Sequence, residues 1–345
     1  MSSTQMIATR RVDEADLELI ASKLPSVLPL FKKKKLFITG GTGFFGKWLL
    51  EAINHLNLNY ELELEATVLT RNPDRFALEY PHLAHAKGVS FVSGDIRNIP
   101  AVTTTFDYII HAATDVPSKS VSTADIEDAR STILDGIAEV VHFAKSVNCR
   151  RLLFTSSGAA YGRIPPSVSE GITESFSEGE FIVESDVYGL SKNKAEQYLK
   201  EHAMCDVVIA RCFAFSGPYL PLDGSFAFGN FIADRLNRKP ITIQGNGKTV
   251  RSYLYAADLV IWLLTMLVKG KDRSMYNVGS DVPVTIQELA ESIAKTRTDV
   301  SVLAPENLGF NTYFPAIEKA QKELGLGIYT TLNEAIDKTI KYYVN

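Results

Sequence analysis

A tyrosine and a lysine stand four residues apart in the stretch Ser185-Asp-Val-Tyr188-Gly-Leu-Ser-Lys192. On a helix this spacing projects both side chains from one face. A free tyrosine has a pKa of about 10, and a nearby ammonium stabilises the phenolate and lowers that value. Such a pair can pass a proton near neutral pH. Alone, the motif occurs by chance in many helices. It gains weight from a second motif far upstream, Thr39-Gly-Gly-Thr-Gly-Phe-Phe-Gly46. An apolar strand precedes this loop and a helix follows it, which is the context of a dinucleotide fingerprint. Gly40 permits the tight turn, Gly43 lets a pyrophosphate approach the backbone, and Gly46 lets helix and strand pack closely. The helix N-terminus then faces the negative charge.

The second strand ends in Leu69-Thr70-Arg71-Asn72, with Arg75 one helical turn on. NAD sites place an acidic residue at this strand end, where it accepts from the ribose 2′-hydroxyl, whereas an arginine accommodates a 2′-phosphate. No carboxylate is present here, and the guanidinium fork suits a phosphate. The reading therefore favours NADP over NAD.

The elements that must position these residues follow an alternating pattern. Short apolar runs at 36–39, 64–70, 89–92, 108–111, 151–155 and 207–210 read as strands. Helical stretches separate them, running from the glycine loop to about His55, near Ile126 to Val147, and from Tyr188 to Glu201. Alternation of this kind implies parallel strands joined by right-handed crossovers, a Rossmann-like doubly wound α/β sheet. Residues 34–212 form this NAD(P)-binding domain. Beyond Phe213 the alternation breaks down, and residues 213–345 read mainly as a smaller α/β substrate lobe. Segments at about 250–280 return to the first domain. Residues 1–33 read as an added segment with a short helix: Asp13, Glu14 and Asp16 lie in its first turn, Leu17, Ile20 and Leu24 share a face, and Pro25 and Pro29 end it.

Composition narrows the class. The chain has 345 residues, with 46% apolar and 22% charged, ordinary for a globular protein. A net charge of −4 gives no global signal for nucleic acid. The three cysteines, Cys149, Cys205 and Cys212, form no Cys-x-x-Cys pair and read as reduced, buried thiols in a cytoplasmic protein. No metal-ligand cluster is visible among the six histidines. The start, Met1-Ser-Ser-Thr-Gln-Met6, lacks the pattern of a signal peptide. The apolar run 259–268 is too short to span a bilayer and reads as a buried helix, so no membrane association is expected. Lys32 to Lys35 read as a solvated strand entrance.

With these motifs in order, the chain resembles the extended short-chain dehydrogenase/reductase family, in its nucleotide-sugar epimerase, dehydratase and reductase branch. The resemblance covers nearly everything from Lys35 to Lys338. It includes Asp95 after the third strand, His111-Ala112-Ala113-Thr114 after the fourth, and Ser156-Ser157-Gly-Ala-Ala-Tyr161-Gly162 after the fifth. It implies a catalytic trio of Ser157, Tyr188 and Lys192. It also implies cofactor contacts at Gly40, Thr42, Gly43, Phe44, Phe45, Gly46, Arg71, Asp95, Ile96, Ala112 and Ala113, shared with Tyr188 and Lys192. The segment Pro240-Ile-Thr-Ile-Gln-Gly-Asn-Gly-Lys-Thr-Val-Arg251 is similar to the family stretch whose arginine grips a sugar nucleotide's diphosphate. Substrate contacts are accordingly implied at Thr114, Ser157, Asn230 and Arg251.

Two departures narrow the chemistry. The family's 4,6-dehydratases carry Asp-Glu directly after the catalytic hydroxyl, and its decarboxylases tend to carry a carboxylate there. Here Gly158 and Ala159 occupy those places, so neither reaction is supported. Ala214 stands where many of the family's epimerases have an asparagine. The expectation is hydride transfer at C4 of a nucleotide-diphosphate sugar, tilted by Arg71 towards a 4-keto-sugar reductase over a 4-epimerase that retains its cofactor. A reductase of a non-nucleotide carbonyl, which would not need Arg251, and a redox-sensing binding protein, which would not need both Tyr188 and Lys192, are the weaker alternatives. The resemblance further implies a homodimer joined through the helices near 126–147 and 188–201, with Ile133, Ile137, Val140 and Val141 offering apolar positions.

Overall fold

The computed structural model describes residues 10–114, 122–162, 172, 186–224, 226–295, 299–304, 309 and 311–344. Met1 to Met6 and Ser185, used in the sequence reading, lie outside the described residues. Seven parallel strands build the central sheet: β1 (Lys35–Thr39), β2 (Glu65–Thr70), β3 (Val89–Ser93), β4 (Tyr108–His111), β5 (Arg151–Ser157), β6 (Asp206–Cys212) and β7 (Ser274–Val278). Their order is β7-β6-β5-β4-β1-β2-β3. The order reverses between β1 and β4, which is where such sheets open a crevice for a ligand. Register brings the carboxyl ends level: Thr39 pairs with both Leu69 and His111, and His111 pairs with Phe154.

β1 is buried on both faces, as a central parallel strand must be. Leu36 and Ile38 enter one hydrophobic cluster and Phe37 enters the other. The first cluster packs α1 (Glu14–Lys23), α2 (Phe44–Asn59) and α6 (Ala256–Lys269) on the sheet, and the second packs α4 (Thr123–Ser146) and α5 (Val187–His202), with α3 (Pro73–Glu79) following β2. α6 contains the apolar run 259–268 and is buried along its length. No helix among the described residues is long and apolar enough to cross a membrane.

The helix of the N-terminal segment packs on the body of the protein: Leu17, Ile20, Leu24 and Phe31 belong to the same cluster as β1 and α6. Buried Asp16 accepts from the Tyr255 hydroxyl at 2.7 Å and from the Lys338 ammonium at 2.6 Å, which ties both ends of the chain together. Asp13 caps α1 and the helix stops at Lys23, but Pro29 opens a second short turn over Leu28–Phe31 instead of ending the first. Among the cysteines, Cys149 and Cys212 are buried, whereas Cys205 is half-buried. The lysines at 33–35 do line a strand entrance, with Lys34 paired to Asp107 at 3.0 Å and Lys35 to Glu65 at 3.5 Å.

Beyond β6, small strands build the second lobe. Val250–Arg251 pairs antiparallel with Val284–Thr285 and parallel with Thr312–Tyr313. Between them the chain returns to the main sheet through α6 and β7. The lobe has its own core, including Phe228, Ile232, Ile241, Leu289 and Ile293.

A buried ion pair locks α5 to β6. Arg211 is 0% and Glu196 1% exposed, joined by guanidinium–carboxylate bonds of 2.6 and 2.9 Å. The Ser156 hydroxyl donates to the same carboxylate, and the guanidinium stacks on Tyr161 at 4.1 Å. Removing one partner strands the other charge in the core. Glu196→Ala should lower unfolding free energy by about 3–5 kcal/mol, measured by urea denaturation.

Candidate active site

The glycine loop is shaped by close backbone approach. Gly40 takes φ of 71°, and a Cβ there would sit 2.5 Å from the Ala112 carbonyl carbon. A Cβ on Gly46 would lie 2.2 Å from Gly41. Gly43 is the N-cap residue of α2 and supplies no side-chain cap, so the first-turn amides of a 16-residue helix face outward, free to meet an anion. A cavity of about 490 Å³ opens beside them. Its wall includes Gly40, Thr42, Gly43, Arg71, Asp95, Ile96, Ala112, Ala113 and Thr114, which places those expected cofactor residues together.

Other expected residues fall elsewhere. Phe44 and Phe45 turn from the cavity wall into the hydrophobic packing, Phe45 against Phe215 at 5.0 Å. Asp95 faces the cavity, but Arg97 holds its carboxylate through side-chain bonds of 2.9 and 3.0 Å and a backbone bond of 2.9 Å. That pairing holds the Asp95 carboxyl below the usual range. Arg71 is exposed on the rim.

Thr114 leads from the cavity to the expected catalytic residues. The Tyr188 phenol lies beside the Ser157 and Thr114 hydroxyls, both of which act to lower its pKa, and the buried Thr114 hydroxyl has no hydrogen-bond partner of its own among the described residues. Lys192 is 1% exposed; its ammonium donates to the Thr155 carbonyl at 3.1 Å and lies 5.9 Å from the Tyr188 ring centre. Burial pushes Lys192 down to about 8. Tyr188 departs from expectation. Burial raises its pKa above the usual value, and this outweighs the lowering effect of the neighbouring Ser157 and Thr114 hydroxyls. The lysine that was expected to acidify the phenol is itself desolvated and turned towards a backbone carbonyl. Nearby His111 is pushed down to about 3 by burial and by the Lys192 charge, so it is neutral, 2.7 Å from the Thr39 hydroxyl.

The second lobe contributes a residue that the sequence gave no reason to single out. The Tyr313 phenol lies beside Ser157, whose hydroxyl acts to lower its pKa, although burial raises that pKa overall. A Cβ built on Gly158 would lie 2.7 Å from its hydroxyl and 2.7 Å from the Phe213 ring. Tyr313 thus fills the space where a larger residue 158 would reach. Arg251, its strand partner, lies 5.4 Å over the Tyr313 ring and donates to Asn311 Oδ1 at 2.8 Å. The substrate-side arginine therefore joins the catalytic residues through one aromatic ring. Asn230 is placed apart from that chain of contacts, donating to the Gly224 carbonyl at 3.2 Å. In the sequence Tyr313 is one aromatic beside another, Phe314, with no motif around it, which is no signal of function.

A model of the NAD dependent epimerase/dehydratase family matches residues 36–279. Escherichia coli dTDP-4-dehydro-6-deoxyglucose reductase is 26% identical, over 90% of this chain and 98% of that protein. Danio rerio UDP-glucuronic acid decarboxylase 1 is 25% identical, over 98% of this chain and 82% of that protein. Among solved structures, the UDP-N-acetylglucosamine 4-epimerase of Methanobrevibacter ruminantium M1, in complex with UDP-N-acetylmuramic acid, superposes with a TM-score of 0.77. That match has 20% identity and covers 91% of this chain and 99% of that one. It shows a shared fold.

The crowding at position 158 is directly testable. Gly158→Ala should cost about 1–3 kcal/mol of stability through overpacking, because neither the Phe213 ring nor the Tyr313 hydroxyl can withdraw freely. A thermal midpoint equal to wild type would show that the space is slack.

Proposed function

The chain belongs to the NAD dependent epimerase/dehydratase family, and on that premise we propose that it moves hydride at C4 of a nucleotide-diphosphate sugar, in the direction of 4-keto reduction with NADPH. The observation that carries the reading is the convergence of the Tyr188, Ser157 and Thr114 hydroxyls beside buried Lys192. No carboxylate follows Ser157 to drive elimination or decarboxylation, since Gly158 and Ala159 occupy those positions. A bound nicotinamide supplies the hydride.

The residues of this chain supply the rest. The glycine loop and the α2 amides would hold the diphosphate of the cofactor, and Arg71 would pair with its 2′-phosphate. Tyr188 donates a proton to the sugar oxygen as charge develops there. Its raised pKa keeps the phenol protonated and able to donate at neutral pH. Ser157 hydrogen-bonds the same oxygen and stabilises the charge. The ammonium of Lys192 favours the phenolate that is left and would hold the nicotinamide ribose. Arg251 grips the substrate's diphosphate. A 4-epimerase that oxidises and re-reduces one carbon would use the same groups. Arg71 favours the reductase, because a cofactor marked by a 2′-phosphate suits net reduction and release.

The identifying experiment is a screen of UDP-, dTDP-, GDP- and CDP-linked 4-keto sugars for NADPH oxidation. Absence of oxidation with all four, together with interconversion of C4 epimers, would favour the epimerase. Tyr188→Phe should reduce turnover by about a hundredfold or more while cofactor affinity and thermal midpoint stay close to wild type.

Turnover in the reductive direction should be flat at low pH and fall as pH rises through about 8, as Lys192 loses its proton. The sign follows from the roles: reduction needs Lys192 charged and Tyr188 protonated, and both conditions hold below that value. A pH–rate profile that rises through 8 would contradict it.

Arg251→Ala should raise the substrate KM about ten- to a hundredfold, the worth of a charge-assisted bond to phosphate, with cofactor affinity unchanged. Equal insensitivity of wild type and mutant to nucleoside diphosphates as inhibitors would favour a non-nucleotide carbonyl substrate.

We also propose a homodimer through α4 and α5, with one revision. Ile133, Ile137 and Val140 are spent on the protomer's own core. The half-buried positions Leu134, Ala138 and Val141 on α4, with Leu190 and Tyr198 on α5, are left for the partner. A monomeric mass by light scattering at micromolar concentration would remove this proposal.

A further inference from the structure

Lys47 stands out as a buried lysine that the catalytic scheme does not use. It lies on α2, one residue past Gly46, and is 9% exposed. Its ammonium donates to the Tyr80 hydroxyl at 3.1 Å and sits 4.2 Å from the Tyr80 ring centre and 5.2 Å from that of Tyr219. Among the described residues no carboxylate forms an ion pair with it; Glu79, the nearest acidic influence, is held by Arg75 at 2.7 Å. Burial pushes its pKa down to about 8. A desolvated cation satisfied only by aromatic faces and one phenol is an expensive arrangement, and an anion would relieve it.

The cavity offers the place for that anion. Lys47 lines it together with Arg71, Asn72, Arg75 and Tyr80. Side chains on a helix lean towards its N-terminus, so Lys47 reaches back towards the glycine loop and the end of β2. Tyr80 and Tyr219 fix its direction, and the neighbouring side chains fix Tyr219 in turn. The Tyr219 hydroxyl donates to Glu51 at 2.7 Å, and the ring nitrogen of His82 lies 3.2 Å from that hydroxyl.

We propose that Lys47 is a specificity-determining residue for the cofactor: a second cation that, with Arg71, binds the 2′-phosphate of NADP. Arg71 comes from the rim and is solvated, while Lys47 comes from the wall and is not. The buried member of such a pair contributes more per charge, because its attraction to phosphate is less screened. The inference rests on the NADP reading above.

The test is direct binding, with no turnover required. Dissociation constants for NADPH and NADH are measured by calorimetry on wild type, Lys47→Gln, Lys47→Arg and Arg71→Asp. Lys47→Gln should weaken NADPH about ten- to a hundredfold and NADH by less than about threefold. Lys47→Arg should restore most of the NADPH affinity. Unchanged NADH affinity certifies that the variant is folded around its cofactor loop. If Lys47→Gln folds poorly, Lys47→Met, which keeps the apolar stem between the two rings, takes its place. Equal weakening of both cofactors, or no change in either, overturns the inference and leaves Lys47 as a structural or diphosphate contact. If wild type binds NADH more tightly than NADPH, the NADP reading falls and the inference with it. If wild type prefers NADPH and only Arg71→Asp alters that preference, the inference alone falls.

Discussion

Backbone contact between the glycine loop and the carboxyl end of β4 sets the position of everything else in the site. Gly40 can approach Ala112 only because it has no Cβ. The Ala112 amide donates to the Thr39 carbonyl at 3.1 Å, and the Ala113 amide lies 3.3 Å from the Thr39 hydroxyl. β1 and β4 are the strands between which the sheet order reverses. Fixing their ends therefore fixes both walls of the crevice. One residue beyond Ala113 lies Thr114, whose hydroxyl meets Tyr188. The distance from the glycine loop to Tyr188 is thus set by three consecutive residues, 112–114.

The far side of the site depends on buried charge. Tyr188, Lys192 and Glu196 recur every four residues along α5, so one face of the helix carries the whole series. Glu196 anchors that face to β6 through Arg211 and to β5 through Ser156. Adjacent residues of a strand point to opposite faces, so Ser156 can serve the anchor while Ser157 serves the reaction. Buried ion pairs seldom add net stability compared with apolar packing. What this one supplies is register: it prevents α5 from sliding along β5, a motion that would part Tyr188 from Ser157.

Much of this was legible in the sequence because the signals are local. The glycine loop, the Tyr-Lys spacing and the alternation of apolar runs each occupy a single window, and the described strands begin or end within two residues of the expected runs. Other features depend on residues distant in the chain. Tyr313 reaches Ser157 only because Thr312–Tyr313 pairs with Val250–Arg251. Lys47 acquires its tyrosine cage from residues 80 and 219. The pKa of Tyr188 was misjudged in direction because spacing reports the presence of a lysine but says nothing of burial. The apolar stripe on α4 was misassigned to an interface because a periodic stripe marks a covered face without saying what covers it. The partners of Asp16 were hidden for a similar reason, since Tyr255 and Lys338 lie more than two hundred residues away.

The relatives of this chain include a decarboxylase, a reductase and an epimerase on one fold. The sheet cannot choose among these reactions, and neither can the proton-transfer pair, which all hydride chemistry at a carbinol carbon requires. The choice must lie in the few atoms around the sugar ring. In this chain Gly158 leaves a gap, and Tyr313 from the other lobe closes it with a neutral hydroxyl in place of a carboxylate. A phenol buried there has its pKa raised and remains a hydrogen-bond donor, so it can support Ser157 but cannot remove a proton from an adjacent carbon at neutral pH. Because Arg251 lies against the same ring, a ligand group held by its guanidinium would also order the Tyr313 hydroxyl beside Ser157. Binding energy from a remote part of a ligand can be applied at the reacting end through such a contact. That coupling, and not the fold, is what sets this site apart.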